Sequence, residues 1–78
     1  MPHVIVKLYS GRSEQQKARL AEGLTKTVMR SLGSGEESVS VAIEDIEPRD
    51  WAEKVYKPDI LGRSETIYKQ PGYTIRDL

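Results

Sequence analysis

Apolar and polar residues alternate over residues 4–9, with Val4, Val6 and Leu8 on one face and Ile5, Lys7 and Tyr9 on the other. A period of two is that of a half-buried β-strand. Ser10-Gly11 breaks the alternation. Ser13 with Gln16 three residues later has the pattern of a capping box, and Glu14 suits the positive end of a helix. Leu20, Ala21, Leu24, Val28 and Leu32 follow at helical spacing and predict one apolar stripe, with Gly33 and Gly35 as stop signals. A second alternating run sets Val39, Val41 and Ile43 against Ser38, Ser40 and Ala42. Strand, helix and strand within about forty residues make a βαβ unit, so the two strands should be parallel with a right-handed crossover.

The pattern is weaker beyond Ile46. Glu47-Pro48-Arg49-Asp50 reads as a helix start, with proline at the first helical position and acid in the first turn. The expectation is a short helix through Tyr56 that ends before Pro58. Residues 60–69 predict a further helical turn or two despite Gly62, and Gln70-Pro71-Gly72 a turn before a short tail. Gly-Arg-Ser-Glu occurs at residues 11–14 and again at 62–65, but the flanks share nothing and the recurrence is coincidental. The fold class is therefore α/β: one domain over residues 1–78, a βαβ unit with short C-terminal helical segments. Two strands and one long helix leave a sheet face and both sheet edges uncovered. Exposed edges invite pairing with a second copy, so a homodimer with a four-stranded sheet is expected.

Composition narrows the function. A chain of 78 residues buries only about 60–65% of its unfolded surface, so association or other reinforcement is expected. There is no cysteine and a single histidine, which excludes a disulfide framework, a thiolate nucleophile and the usual zinc ligand sets. No cofactor or metal is expected. Charges balance at 12 Lys+Arg against 12 Asp+Glu, with a pI near 6.6, and no basic block marks a nucleic-acid or membrane-surface binder. No apolar run approaches the roughly 20 residues that span a bilayer, and Met-Pro-His-Val lacks the features of a secretory signal. These readings predict a soluble, cytoplasmic protein.

Proline directly after Met1, followed at once by a strand, is the feature that suggests chemistry. A small second residue permits removal of the initiator methionine, and the new terminus is then a secondary amine with a free lone pair. Pro2, then Gly11-Arg12-Ser13-Glu14-Gln15-Gln16-Lys17 opening the helix and Arg30-Ser31-Leu32 closing it, together with Ser38-Val39-Ser40-Val41 and Trp51, resembles the 4-oxalocrotonate tautomerase superfamily. The resemblance runs without gaps over residues 2–51. The longer C-terminal part, with Lys69-Gln70-Pro71-Gly72-Tyr73, looks like the dimeric, phenylpyruvate tautomerase-like branch.

That resemblance implies a keto–enol tautomerase for a 2-oxo acid or its enol, with Pro2 as general acid and base. A free α-amine titrates near about 8 and a secondary amine higher. Apolar walls and a neighbouring guanidinium disfavour the cation and pull the value toward neutrality, where the amine both accepts and returns a proton. The resemblance gives Arg12 the role of a bidentate clamp on the substrate carboxylate, for which guanidinium geometry is suited. It gives Trp51 the role of an aromatic pocket wall. Ser40 departs from the pattern, because hexameric members carry arginine there; serine offers one uncharged hydrogen bond toward the substrate oxygen. Arg49 is a possible substitute for that charge, although a solvated charge at a helix start is the simpler reading. His3 falls on the opposite parity from Pro2 and is expected at the surface or an interface. Two alternatives stay open: a hydratase or dehalogenase relative using the same proline, and a non-catalytic dimeric binding or scaffold protein.

Overall fold

The computed structural model describes residues 1–78, which divide into two compact units, Met1–Asp45 and Ile46–Leu78. The first is built on β1 (His3–Tyr9), α1 (Glu14–Leu32) and β2 (Ser40–Ile46), with the two strands neighbours in one sheet. The Ser40 N–H donates to the Pro2 carbonyl at 3.2 Å, so both strands start at the same end and run parallel. Val4, Val6 and Leu8 of β1 are half-buried and His3, Ile5 and Tyr9 are exposed, as the alternation predicts, whereas Lys7, expected on the outer face, is half-buried too.

The capping box forms at the predicted place. The Gln16 N–H donates to Ser13 Oγ at 3.1 Å, and the Ser13 N–H donates to Gln16 Oε1 at 3.0 Å. Such a cap contributes about 1 kcal/mol by satisfying amides that have no partner inside the helix. At the other end Gly33 takes φ 69°, a left-handed conformation that suits glycine, and its N–H donates to the Met29 carbonyl at 3.0 Å. The half-buried stripe of α1 comprises Lys17, Ala21, Leu24, Thr25, Val28 and Met29. Leu20 and Leu32, expected in the stripe, are exposed at its margins. No side chain of this unit is buried, because a two-stranded sheet under one helix covers each residue on one side only.

The second unit departs from the sequence expectation. A 3₁₀ turn at Pro48–Asp50 leads into a π-helix over Ala52–Leu61, which continues through Pro58 instead of stopping before it. In an α-helix the pyrrolidine ring strikes the carbonyl four residues back. Widening to five-residue hydrogen bonding relieves that clash, and the Gly62 N–H closes the element on the Lys57 carbonyl at 2.8 Å. Of the helical turns expected over residues 60–69, Ile60 and Leu61 end the π-helix and Ser64–Thr66 form one 3₁₀ turn. Val55 and Tyr56, 5% and 7% exposed, are the buried residues of the chain, and both lie on the π-helix.

Candidate active site

Pro2 is half-buried at the entry to β1, and its carbonyl is held by the Ser40 amide. Met1 before it is fully exposed. His3 and Ser40 sit side by side at this end of the sheet, with His3 Nδ1 and Ser40 Oγ 2.6 Å apart. The structure therefore brings Ser40 to Pro2 through the backbone, while the Ser40 hydroxyl engages His3.

Arg12 lies at the opposite end. Seven strand residues separate it from Pro2, a span of about 23 Å at the rise of a β-strand. The turn at Gly11 carries Arg12 to the start of α1, beside the end of β2. Here the Lys17 ammonium, in the first turn of α1, meets Asp45 Oδ2 at 2.9 Å and Glu14 Oε1 at 3.1 Å. The hydrogen bond that Lys17 donates to Asp45, then that to Glu14, holds the Lys17 pKa above its ordinary 10.5. A cleft of about 270 Å³ opens at this end, lined by Leu8, Arg12, Gln16, Lys17 and Leu20. Leu8 and Leu20 give it apolar surface, and Arg12, exposed, makes no hydrogen bond or ion pair within the chain. The arrangement suits an anion with an apolar body.

Sequence reasoning placed Arg12 at this turn but gave Lys17 no role of its own. The signal for more was the spacing of Glu14 and Lys17, which share a helix face with the cleft. The Asp45 partner is 28 residues away and is not visible from spacing.

In the second unit the Trp51 indole N–H donates to the Tyr73 hydroxyl at 2.9 Å, and the Tyr73 ring meets buried Tyr56 with centroids 5.6 Å apart. This fixes the half-buried indole in one orientation. Arg49 is exposed in the Pro48–Asp50 turn. No three His, Asp or Glu side chains converge as a metal site, and no helix is long and apolar enough to cross a membrane.

A family profile described as "Tautomerase enzyme" matches residues 2–55. A probable tautomerase of Xylella fastidiosa (strain 9a5c) is 48% identical over 73 residues, which cover 94% of this chain and 89% of the relative. Tautomerase PptA of Escherichia coli (strain SMS-3-5 / SECEC) is 37% identical over 76 residues, 96% of this chain and 100% of its own. Among solved structures, TomN, a 4-oxalocrotonate tautomerase homologue in the tomaymycin biosynthetic pathway, superposes with a TM-score of 0.63 at 40% identity, over 64% of this chain and 77% of that one. The sequence motifs, the parallel βαβ unit and these relatives converge on a tautomerase-type, isomerase-class function. The chain belongs to the tautomerase enzyme family, within the 4-oxalocrotonate tautomerase superfamily.

Proposed function

We propose that this protein is a cofactor-independent keto–enol tautomerase for 2-oxo acids of the phenylpyruvate type, with Pro2 as the acid–base group once Met1 has been removed. The observation that carries the reading is the anchoring of Pro2: its carbonyl is pinned by Ser40 at the mouth of the sheet, and its ring is half-buried. A base held in this way is positioned for proton transfer and partly shielded from water, which favours its neutral form. In the ketonisation direction the Pro2 nitrogen accepts the enol hydroxyl proton and a proton is delivered from it to C3. The C=C electrons form the new C–H bond as the C2–O bond becomes a carbonyl.

The separation of Pro2 from Arg12 supports the homodimer as part of the site. Two residues at opposite ends of one strand cannot grip one small substrate. A two-fold pairing runs the strands of two copies antiparallel, setting the Arg12 end of one beside the Pro2 end of the other. It also completes a four-stranded sheet and covers edges that are open in the single chain. Arg12 then holds the carboxylate, Trp51 supplies an aromatic surface, and Ser40 serves the oxyanion side, in a soluble cytoplasmic enzyme.

The test is kinetic. Pro2→Ala substitutes a primary amine of higher pKa and looser geometry, and kcat for the phenylpyruvate enol should fall about 10²-fold or more, the usual contribution of a positioned acid–base group. Wild-type turnover by a preparation whose Pro2 nitrogen is still acylated by Met1 would remove Pro2 from the mechanism.

A further inference from the structure

Three aromatic residues of the second unit meet on one side of the π-helix. Trp51 caps its N-terminus, Tyr56 lies five residues on, and Tyr73 touches both. The Tyr73 hydroxyl accepts the Trp51 indole N–H at 2.9 Å, and its ring meets the Tyr56 ring at 5.6 Å between centroids, tilted by 44°. At the roughly 100° per residue of an α-helix, residues five apart point about 140° away from each other. Five-residue hydrogen bonding brings them close to one turn apart, so the widening at Pro58 is what lets one tyrosine reach both. Tyr73 itself is held from both sides. Its ring rests on buried Tyr56, and the next residue opens a capped turn in which the Thr74 N–H donates to Asp77 Oδ2 at 2.9 Å and the Arg76 N–H to Thr74 Oγ1 at 3.3 Å. Trp51 lies inside the stretch matched by the family profile, residues 2–55, and Tyr73 lies beyond it.

We propose that Tyr73 is a positioning residue for Trp51 and makes the site selective for ligands with an aromatic body over aliphatic ones of the same size. An indole has two apolar faces and one polar edge. A hydroxyl anchored on a buried ring fixes that edge, and with it the plane of the half-buried indole. A flat ligand ring gains from such a wall only at particular offsets and tilts, with centroids about 4.5–7 Å apart, whereas a saturated body gains dispersion from the indole in any orientation. Fixing the plane therefore favours the aromatic ligand alone. The inference rests on the reading of Trp51 as the aromatic surface of the site, but it concerns binding and does not require Pro2 to be the base.

The test is an NMR titration of the full chain with two non-reacting acids of similar size, 3-phenylpropanoate and 3-cyclohexylpropanoate. The proteins compared are wild type, Tyr73→Phe, Trp51→Phe and the double variant. Tyr73→Phe keeps the ring on Tyr56 and removes the hydroxyl alone. Trp51 is the single tryptophan of the chain, so acrylamide quenching of its fluorescence reports directly whether the indole is held. Wild type should bind 3-phenylpropanoate about threefold or more tightly than its saturated counterpart. Tyr73→Phe should weaken 3-phenylpropanoate about three- to tenfold, the effect of one hydrogen bond, with 3-cyclohexylpropanoate changed less than about twofold. It should also raise the quenching of Trp51. Trp51→Phe should lose the same preference, and adding Tyr73→Phe to it should change neither ligand further, because no indole N–H remains to be held. The proposal is overturned by unchanged quenching in Tyr73→Phe, by equal weakening of both ligands (which a merely structural role predicts), or by additive losses in the double variant. Wild-type affinities in Trp51→Phe would end the reading of Trp51 as the aromatic surface, and the proposal with it. A loss in Trp51→Phe without one in Tyr73→Phe would end the proposal alone. The expected pattern in a protein without turnover would support the role of Tyr73 while ending the Pro2 reading.

Discussion

Replacing Gly62 with alanine tests the account of the π-helix directly. A Cβ at Gly62 would lie 2.7 Å from the Pro58 carbonyl oxygen and 3.0 Å from that of Lys57. Ordinary C···O contacts lie near 3.3 Å or beyond. Both obstacles are backbone, and the Lys57 carbonyl is also the acceptor for the Gly62 N–H at 2.8 Å, so it cannot swing away without weakening that bond. Overpacking of this kind costs about 1–3 kcal/mol, and loss of the hydrogen bond adds about 0.5–1.5 kcal/mol. The stiffer unfolded chain of alanine returns about 0.4–1 kcal/mol. The balance spans about 0.5–4 kcal/mol of destabilisation and centres at about 2 kcal/mol, a fall in Tm of about 10–20 °C for a domain of this size. Gly23 provides the opposite sign. It is exposed within α1 and a Cβ there meets nothing within 4 Å, so Gly23→Ala should stabilise by about 0.8–1 kcal/mol through helix propensity alone. Thermal unfolding followed by circular dichroism, at one fixed protein concentration, reads both. A Gly62→Ala protein as stable as wild type would refute the close approach on which this argument rests.

Association and folding should be linked, because no side chain of Met1–Asp45 is buried in the single chain. The midpoint should rise with protein concentration over a hundredfold range, and Ile5→Asp, at a residue 54% exposed on the open sheet face, should give a monomer in sedimentation. Lys17 sets an alkaline limit. Its folded pKa is raised, so its contribution is complete below the ordinary 10.5 and is lost as pH rises through the folded value. Denaturation midpoints of wild type and Lys17→Met should therefore converge above pH 10.5 and diverge below it.

What the sequence made legible was local. The alternation of β1, the Ser13–Gln16 box and the Gly33 stop each depend on residues within four positions of one another, and each forms where the pattern places it. The Pro58 rule failed because it assumes α-helical spacing. Whether a chain instead widens is decided by packing, here of Tyr56 with Tyr73, which no local window contains. The site divides in the same way. Arg12 at the strand-to-helix turn follows from counting residues, and so does its distance from Pro2, since a seven-residue strand fixes it. The neutralisation of Lys17 by Asp45 and the engagement of Ser40 by His3 join residues 28 and 37 positions apart. Such pairings exist only after the strands are aligned.

The central claim is that the Pro2 nitrogen is a free amine poised near neutrality, and it is open to direct observation. The protein labelled with ¹⁵N-proline is checked by intact mass for loss of Met1, and the Pro2 nitrogen resonance is followed from pH 4 to 10, a window about three units either side of neutrality chosen to bracket the reference α-amine. The account predicts one titration with its midpoint close to neutrality, below that of an ordinary secondary amine, matching the acidic limb of kcat/KM for the phenylpyruvate enol. A resonance that does not titrate, or one that titrates well above the pH at which activity appears, would contradict it.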